Sequence, residues 1–473
     1  MKVLHLSAEC YPVAKVGGLG DVVGALPKYQ VLEGADAVVA IPFYDRKFTR
    51  EKSFEILFSS TIFLADQELH YQILKENTNA LGFELLLVKI PGLLDREEVY
   101  CYPDENEQFI AYQLAVLDWI IKQEVKVDIL HCHDHHSGLV PYLVKYSKKF
   151  NSLAHIPTVC TIHNGQYQGW MSWNDFRYIP EPEEEHNGML DWGGTINKLA
   201  ASVKCCWAYT TVSPGYLEEL KHDSNGLEFL FELEQGKGIG ILNGIDPDIW
   251  NPETDPMIAD NYKTSSVTRG KQLNKAFICK QFHLDKNKPL FAFIGRLVHE
   301  KGVDKLLEAV KEVLSQENPD INVLILGSGE KHLEEELVYI KNNYPNINVF
   351  VGYNEELSHK IYAAADFILM PSRVEPCGLN QLYALKYGTV PVVRSTGGLK
   401  DSIKDIDEEN GYGIRFDNCE TWDIINAIER SKKLYFDKTQ LKNIRKVMMA
   451  LDFSWNKSAK QYINLYKRLI ETA

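Results

Sequence analysis

Between residues 290 and 393 short apolar runs alternate with amphipathic segments, and that alternation restricts the fold to an α/β class. Leu290 to Ile294, Val323 to Leu326, Ile347 to Val351, Phe367 to Met370 and Val390 to Val393 read as buried strands. Val303, Leu306, Leu307, Val310, Val313 and Leu314 fall on one face of a helix. Lys331 to Asn342, Glu355 to Ala364 and Leu379 to Tyr387 read as further helices. Strands separated by helices build a parallel sheet through right-handed crossovers. In such sheets ligands sit outside the carboxyl ends of the strands. Pro371 to Leu399 is therefore the stretch to watch. It places Glu375, Cys377 and Gly378 just past one strand and Gly397-Gly398 just past the next.

The N-terminal half repeats the pattern less regularly. Val3 to Ser7, Ala37 to Ile41, Ile129 to Cys132, Thr158 to Ile162 and Tyr209 to Val212 read as strands, with a hairpin region from Phe54 to Val88. A chain of 473 residues holds about two or three domains. Leu242 to Pro256 is rich in Asn, Asp and Pro and reads as a linker. The expected domains are 1–243 and 244–454. A closing helix over 455–473 carries Ala459, Tyr462, Ile463, Tyr466 and Ile470 on one face, to be packed back on the first domain.

Hydrophobic content of 45% and charged content of 25% place the chain among ordinary globular proteins. No apolar run approaches the ~20 residues that span a membrane. The net charge of −14 argues against nucleic-acid binding. Residues 430–468 depart from it, with 11 Lys/Arg against two Asp, either a solvated helix face or a surface for an anionic partner. Nine cysteines without a CxxC pair or a secretion signal suggest reduced thiols and a cytoplasmic protein.

Four more constellations carry chemistry. Lys15-Val16-Gly17-Gly18-Leu19-Gly20-Asp21 follows the first strand, where glycines and a helix start suit an anion. It lacks the GxGxxG spacing of dinucleotide folds. Arg296 and Lys301 place two cations at a strand end, which suits a diphosphate. His131-Cys132-His133-Asp134-His135-His136 invites a metal reading, but no second ligand set recurs. Histidines that hydrogen-bond near a sugar are the other reading. His163 in Thr161-Ile162-His163-Asn164 suits a general base, a hydroxyl partner or a structural role. Cys377 has no identifiable base and reads as a packed thiol.

Taken together these segments resemble the bacterial glycogen synthase and plant starch synthase family, retaining transferases of glycosyltransferase family 5. The resemblance rests on KVGGLGDV from Lys15, HCHDHHSGL from His131, TIHN from Thr161, LNGID from Leu242, GRLVHEKG from Gly295, and the Pro371 to Leu399 block. It implies a GT-B fold, two Rossmann-like domains with parallel sheets facing a central cleft. It implies transfer of glucose from ADP-glucose to the nonreducing end of an α-1,4-glucan, with no cofactor and no metal. The partners are then a nucleotide sugar and a glucan, with no nucleic acid and no membrane. A transferase using UDP-glucose or another acceptor, or a non-catalytic glucan-binding homologue, are the alternatives.

By position, the resemblance makes Glu375, His163 and Asp21 the catalytic group. Lys15, Gly18, Arg296 and Lys301 would hold the donor diphosphate. Asn243, Cys377 and Gly378 would hold the donor glucose, and Tyr353 would stack on the base. His133 and Asp134 fall on the acceptor side. The first domain would serve the acceptor and the second the nucleotide sugar. Two departures stand out. The family commonly has Trp where His135 stands, and Tyr29 to Asp36 lacks the usual clean helix and turn.

Overall fold

The structure is a computed structural model and describes residues 1–472. The chain packs as two units. One is Met1–Asn243 with the closing helix Trp455–Thr472; the other is Gly244–Ser454.

The first unit is built on a nine-stranded sheet. From one edge the order is Gly238–Gly240, Ala208–Thr211, Thr158–Ile162, Ile129–His133, Lys2–Leu6, Asp36–Pro42, Glu84–Lys89, Gln67–Glu76 and Phe54–Leu64. The first seven pair in parallel, and the last two are added through antiparallel pairings. Phe54–Leu64 and Gln67–Glu76 are the expected hairpin, annexed to the sheet edge. The chain leaves Lys2–Leu6 toward Asp36–Pro42, then returns to Ile129–His133 on the other side. That reversal opens a gap at the carboxyl ends of these two strands.

Helix Gly18–Leu32 follows the first strand and runs without a break through Tyr29. The irregularity read from Tyr29 to Asp36 is confined to the turn at Gly34. The closing helix lies against this helix through Trp455, Ala459, Tyr462, Leu465 and Tyr466, which join Val22, Leu26 and Tyr29 in one buried cluster. Ile470, on the expected face, stays 38% exposed. A small antiparallel sheet of Trp170–Met171, Thr195–Asn197 and Asp191–Trp192 has no counterpart in the sequence reading.

The second unit has six parallel strands in the order Ile347–Val351, Asn322–Gly327, Leu290–Ile294, Phe367–Met370, Val390–Arg394 and Ile414–Phe416. Its order reverses between Leu290–Ile294 and Phe367–Met370. The stretch read as a linker is tied down inside this unit. Trp250 stacks between His359 and Tyr383, with ring centroids 4.0 and 3.7 Å away. The buried Asp255 carboxylate accepts hydrogen bonds from His359 and Tyr387.

One buried carboxylate fixes where the central strand starts. Asp366 accepts from Lys275 Nζ at 2.6 Å, from Arg445 Nη2 at 2.8 Å and from the Leu290 amide at 3.0 Å. It thereby joins helix Val267–Gln281, helix Lys438–Ala450 and two neighbouring strands. Burial pushes its pKa up, but Lys275 and Arg445 outweigh burial and hold it below the usual carboxylate value. Its contribution to stability is therefore present above the unfolded pKa and fades as pH falls through the folded one. Replacing it leaves two cations buried without their partner. Asp366→Asn should cost about 3–5 kcal/mol in urea unfolding at neutral pH, and the gap to wild type should narrow at acid pH. A loss below 1 kcal/mol would contradict this role for the triad.

Candidate functional site

In the first unit the gap at the sheet reversal is floored by Glu9. This nearly buried residue follows the first strand. Its Oε2 accepts the amides of Val16 at 2.5 Å and Gly17 at 3.0 Å, and its Oε1 accepts from Tyr100 Oη at 2.7 Å. The glycine-rich turn thus gives two of its amides to a carboxylate of the protein. What remains for an outside anion is the start of helix Gly18–Leu32, where Gly18 is exposed and has open space around its missing side chain. Gly20 cannot be enlarged freely, because an added Cβ would lie 3.1 Å from Glu9 Oε2. Lys15 Nζ is 2.7 Å from Asp21 Oδ1, and both side chains are about one-third exposed.

The neighbouring strand ends supply Asp134 and His163. Asp134 has φ 53° and ψ −172°, a conformation L residues rarely adopt. Its Oδ1 accepts the His163 amide at 2.7 Å, which fixes the His163 backbone. Burial raises the Asp134 pKa to about 7, against the amides of His163 and Asn164 that favour the charged form. His163 is 9% exposed, and burial lowers its pKa to about 3. His133 is fully buried, and its ring nitrogens are engaged by His5 and His163 at 3.0 Å each. His133, expected on the acceptor side, has no exposed surface of its own, whereas its neighbour His163 has some. Asn243, at the end of the unit, keeps its buried Oδ1 without a hydrogen-bond partner.

His135 lies 3.7 Å from the His136 ring and is almost wholly buried, so it offers no flat exposed face of the kind a Trp there would suit. An added side chain at Gly169 would strike both His135 and the Lys198 stem at 2.5 Å. The buried Lys198 donates to Asn106 Oδ1 at 2.7 Å, and desolvation lowers its pKa to about 8.

Three groups among the described residues bring metal-ligand atoms within 4.8 Å of one another. In His5, His131 and His133 every ring nitrogen already has a hydrogen-bond partner. In Glu105, His135 and His136 the positive field of Lys198 opposes a cation. Glu183, Glu185 and His186 form a loop pairing at 3.6–3.7 Å.

In the second unit the reversal brings Lys301 and Glu375 together. Gly302 makes this possible. Its φ of +68° suits glycine, and an added Cβ would sit 2.2 Å from the Pro371 carbonyl oxygen. The Lys301 turn therefore rests directly on the strand end that carries Glu375. Lys301 Nζ lies 2.8 and 2.7 Å from the two carboxylate oxygens of Glu375, and Ser372 Oγ donates to Oε2 at 2.9 Å. Glu375 is 8% exposed. Behind it, an added Cβ at Gly397 would lie 2.2 Å from the Glu375 carbonyl oxygen, and one at Gly398 2.1 Å from that of Cys377. Gln381 Nε2 ties the carbonyls of Cys377 and Gly378 at 3.0 Å each. Arg296 is exposed, with Glu300 3.8 Å away, and Tyr353 is 81% exposed past the edge strand.

The family model for the starch synthase catalytic domain matches residues 2–233, and that for glycosyl transferases group 1 matches residues 274–445. A glycogen synthase of Flavobacterium johnsoniae is 50% identical over 472 residues, covering 100% of both chains. The chain belongs to the glycogen and starch synthase family. A glycogen synthase of Bacillus cereus is 35% identical over 484 residues, again covering 100% of both. The catalytic domain of starch synthase IV from Arabidopsis thaliana, solved with ADP and acarbose, matches with a TM-score of 0.88. It is 30% identical, with 99% of each chain covered. A sucrose-phosphate synthase from Thermosynechococcus elongatus, 17% identical, shares the fold at a TM-score of 0.63. The two-unit α/β architecture is thus that of the GT-B class. Within this family member the sequence reading missed Glu9, whose only signal is an acid just past the first strand.

Glu9 makes a sharp expectation. Hydrogen bonds to a charged group contribute about 1.5–3 kcal/mol. In Glu9→Ala, hydrogen exchange at the Val16 and Gly17 amides should speed up by about ten- to a hundredfold, with the sheet amides unchanged. Unaltered exchange at those two amides would show that the turn does not depend on Glu9.

Proposed function

We propose that this protein is an α-1,4-glucan glucosyltransferase that moves glucose from ADP-glucose to the nonreducing end of a glucan with retention. The observation that carries the reading is the Lys301–Glu375 pair at the sheet reversal of the second unit. An ammonium has three donors, and Glu375 takes two of them. One remains for a phosphate oxygen. A carboxylate has about four acceptor sites. Lys301 and Ser372 fill three of them, which leaves one for a sugar hydroxyl. The pair thus offers one contact to each side of a sugar–phosphate bond. End-to-end identity of 50% with a glycogen synthase supports the same activity.

The remaining roles follow from charge and position. Arg296 and Lys301 neutralise the diphosphate in the second unit, and Lys15 with the Gly18 amide binds phosphate in the first. Negative charge grows on the diphosphate as the sugar bond breaks, so these contacts strengthen in the transition state. Glu375 favours the positive charge that develops on the glucose ring. Cys377, Gly378, Asn243 and His163 contact sugar hydroxyls, and Asp21 serves where donor and acceptor meet. Asp134 holds His163 in place on the acceptor side. Tyr353 stacks on the base. Its strand lies three positions from that of Glu375, about 14 Å at the usual strand spacing. That distance suits a ligand of several linked groups. The reaction takes place in the cytoplasm, where thiols stay reduced.

Cations of the protein neutralise the phosphates, so no bound metal or cofactor is assigned. Glu375→Ala should lower transfer from ADP-glucose to glycogen by about a hundredfold or more, equivalent to ~3–4 kcal/mol, with an unchanged melting curve. A folded variant at near wild-type rate would remove Glu375 from the reaction. Incubation with labelled ADP-glucose and UDP-glucose should favour the former, and equal incorporation would overturn the donor assignment. Rates in chelator should match those without it. Loss of activity restored by Mg²⁺ would contradict the metal-free reading.

A further inference from the structure

The first unit contains a hydrogen-bonded chain that starts at the closing helix and ends at His163. Gln30 Nε2 donates to Tyr466 Oη at 3.0 Å, and Gln30 Oε1 faces His5 Nε2 at 2.8 Å. His5 Nδ1 lies 3.0 Å from His133 Nε2, and His133 Nδ1 lies 3.0 Å from His163 Nε2. Tyr466 Oη also meets His131 Nδ1 at 2.7 Å, and His131 Nε2 meets Thr161 Oγ1 at 2.6 Å. His5, His131 and His133 have no exposed surface; among these four hydrogen-bonded imidazoles only His163 has any.

A neutral imidazole carries one N–H and one lone pair. An amide oxygen only accepts. Burial holds these rings neutral, with His5 lowered to about 4 and His163 to about 3. The direction of every bond then follows from the first. Gln30 Oε1 takes the proton of His5 Nε2, so His5 Nδ1 has the lone pair. It accepts from His133 Nε2–H, whose Nδ1 in turn accepts from His163 Nε2–H. In the amide orientation shown, Tyr466 takes the Gln30 N–H and passes its own proton toward His131, which then donates from Nε2 to Thr161.

We infer that Gln30 and Tyr466 are positioning residues that set the tautomer of His163, so that its Nδ1 meets the substrate as a hydrogen-bond acceptor. A residue on the closing helix thereby reaches the reacting end of the sheet through three imidazoles. His163 receives a hydroxyl proton in a hydrogen bond and gives none from that nitrogen. The activity part of this inference rests on the glucosyl-transfer reading; the tautomer part does not.

Neutron diffraction from the perdeuterated full chain tests it. Deuterium should sit on Nε2 of His5, His133 and His163, and their Nδ1 atoms should be bare. Deuterium on Nδ1 of His163 or His133 would overturn the inference, since the same contacts are met in reverse if the Gln30 amide turns over. Tyr466→Phe and Gln30→Leu supply the second arm. Each should convert His163 in part to the Nδ1–H form, read by imidazole ¹⁵N shifts, and lower kcat/KM by up to about tenfold. A folded variant with reduced rate but an unmoved His163 tautomer would mean a structural role only, and would sink the proposal. If either variant does not fold, the wild-type deuterium positions decide. If wild type lacks glucosyl transfer yet shows the stated protonation, the activity reading falls and the tautomer assignment stands.

Discussion

Crossovers that leave neighbouring strands in opposite directions open a gap at the carboxyl edge of a parallel sheet. In the first unit the gap lies between Lys2–Leu6 and Ile129–His133, and in the second between Leu290–Ile294 and Phe367–Met370. Each site residue takes its position from one of these edges. Lys15, Gly18 and Asp21 follow the first strand of the first gap, with Asp134 and His163 beside them. Lys301 and Glu375 stand on the two sides of the second. The apolar alternation that forces the fold therefore also decides where polar chemistry can collect.

Within each gap a buried or half-buried carboxylate organises the cations and amides. Glu9 holds the glycine-rich turn, Asp134 holds the His163 backbone, and Glu375 holds Lys301. Unpaired cations at a strand end would repel one another and wander. Paired with acids, they keep their geometry and retain the spare donors that a phosphate needs. Asp366 does the same work at the opposite, amino end of the central strands, where it locks two helices to them.

Much of this was legible in the chain. The strands Leu290–Ile294, Ile347–Val351 and Phe367–Met370 coincide with apolar runs, and the helix predicted over Lys331 to Asn342 ends at Asn343. Buried parallel strands are uninterrupted runs, so they show plainly. Gly397 and Gly398 stood past a strand end in the sequence, and the structure adds the reason for glycine there: an added Cβ would lie 2.2 and 2.1 Å from the carbonyl oxygens of Glu375 and Cys377. The partners of polar side chains were not legible. Gln30 and Tyr466 are 436 residues apart, and no local pattern links them. The cluster at His131 invited a metal reading because sequence spacing cannot reveal that both ring nitrogens of His131 and of His133 already have partners. The segment at 242–256 looked loose because Asn, Asp and Pro favour turns, while its anchors His359, Tyr383 and Tyr387 lie more than a hundred residues on.

Carboxylate-organised cation sites make the chemistry of this chain a retaining glucosyl transfer to a glucan. The most direct measurement is a proton NMR time course of the wild-type chain with ADP-glucose and a short α-1,4-glucan acceptor. New α-1,4 anomeric signals should grow as the donor anomeric signal falls, in equal amounts. A β-anomeric product, or donor loss that yields only free glucose, would contradict it.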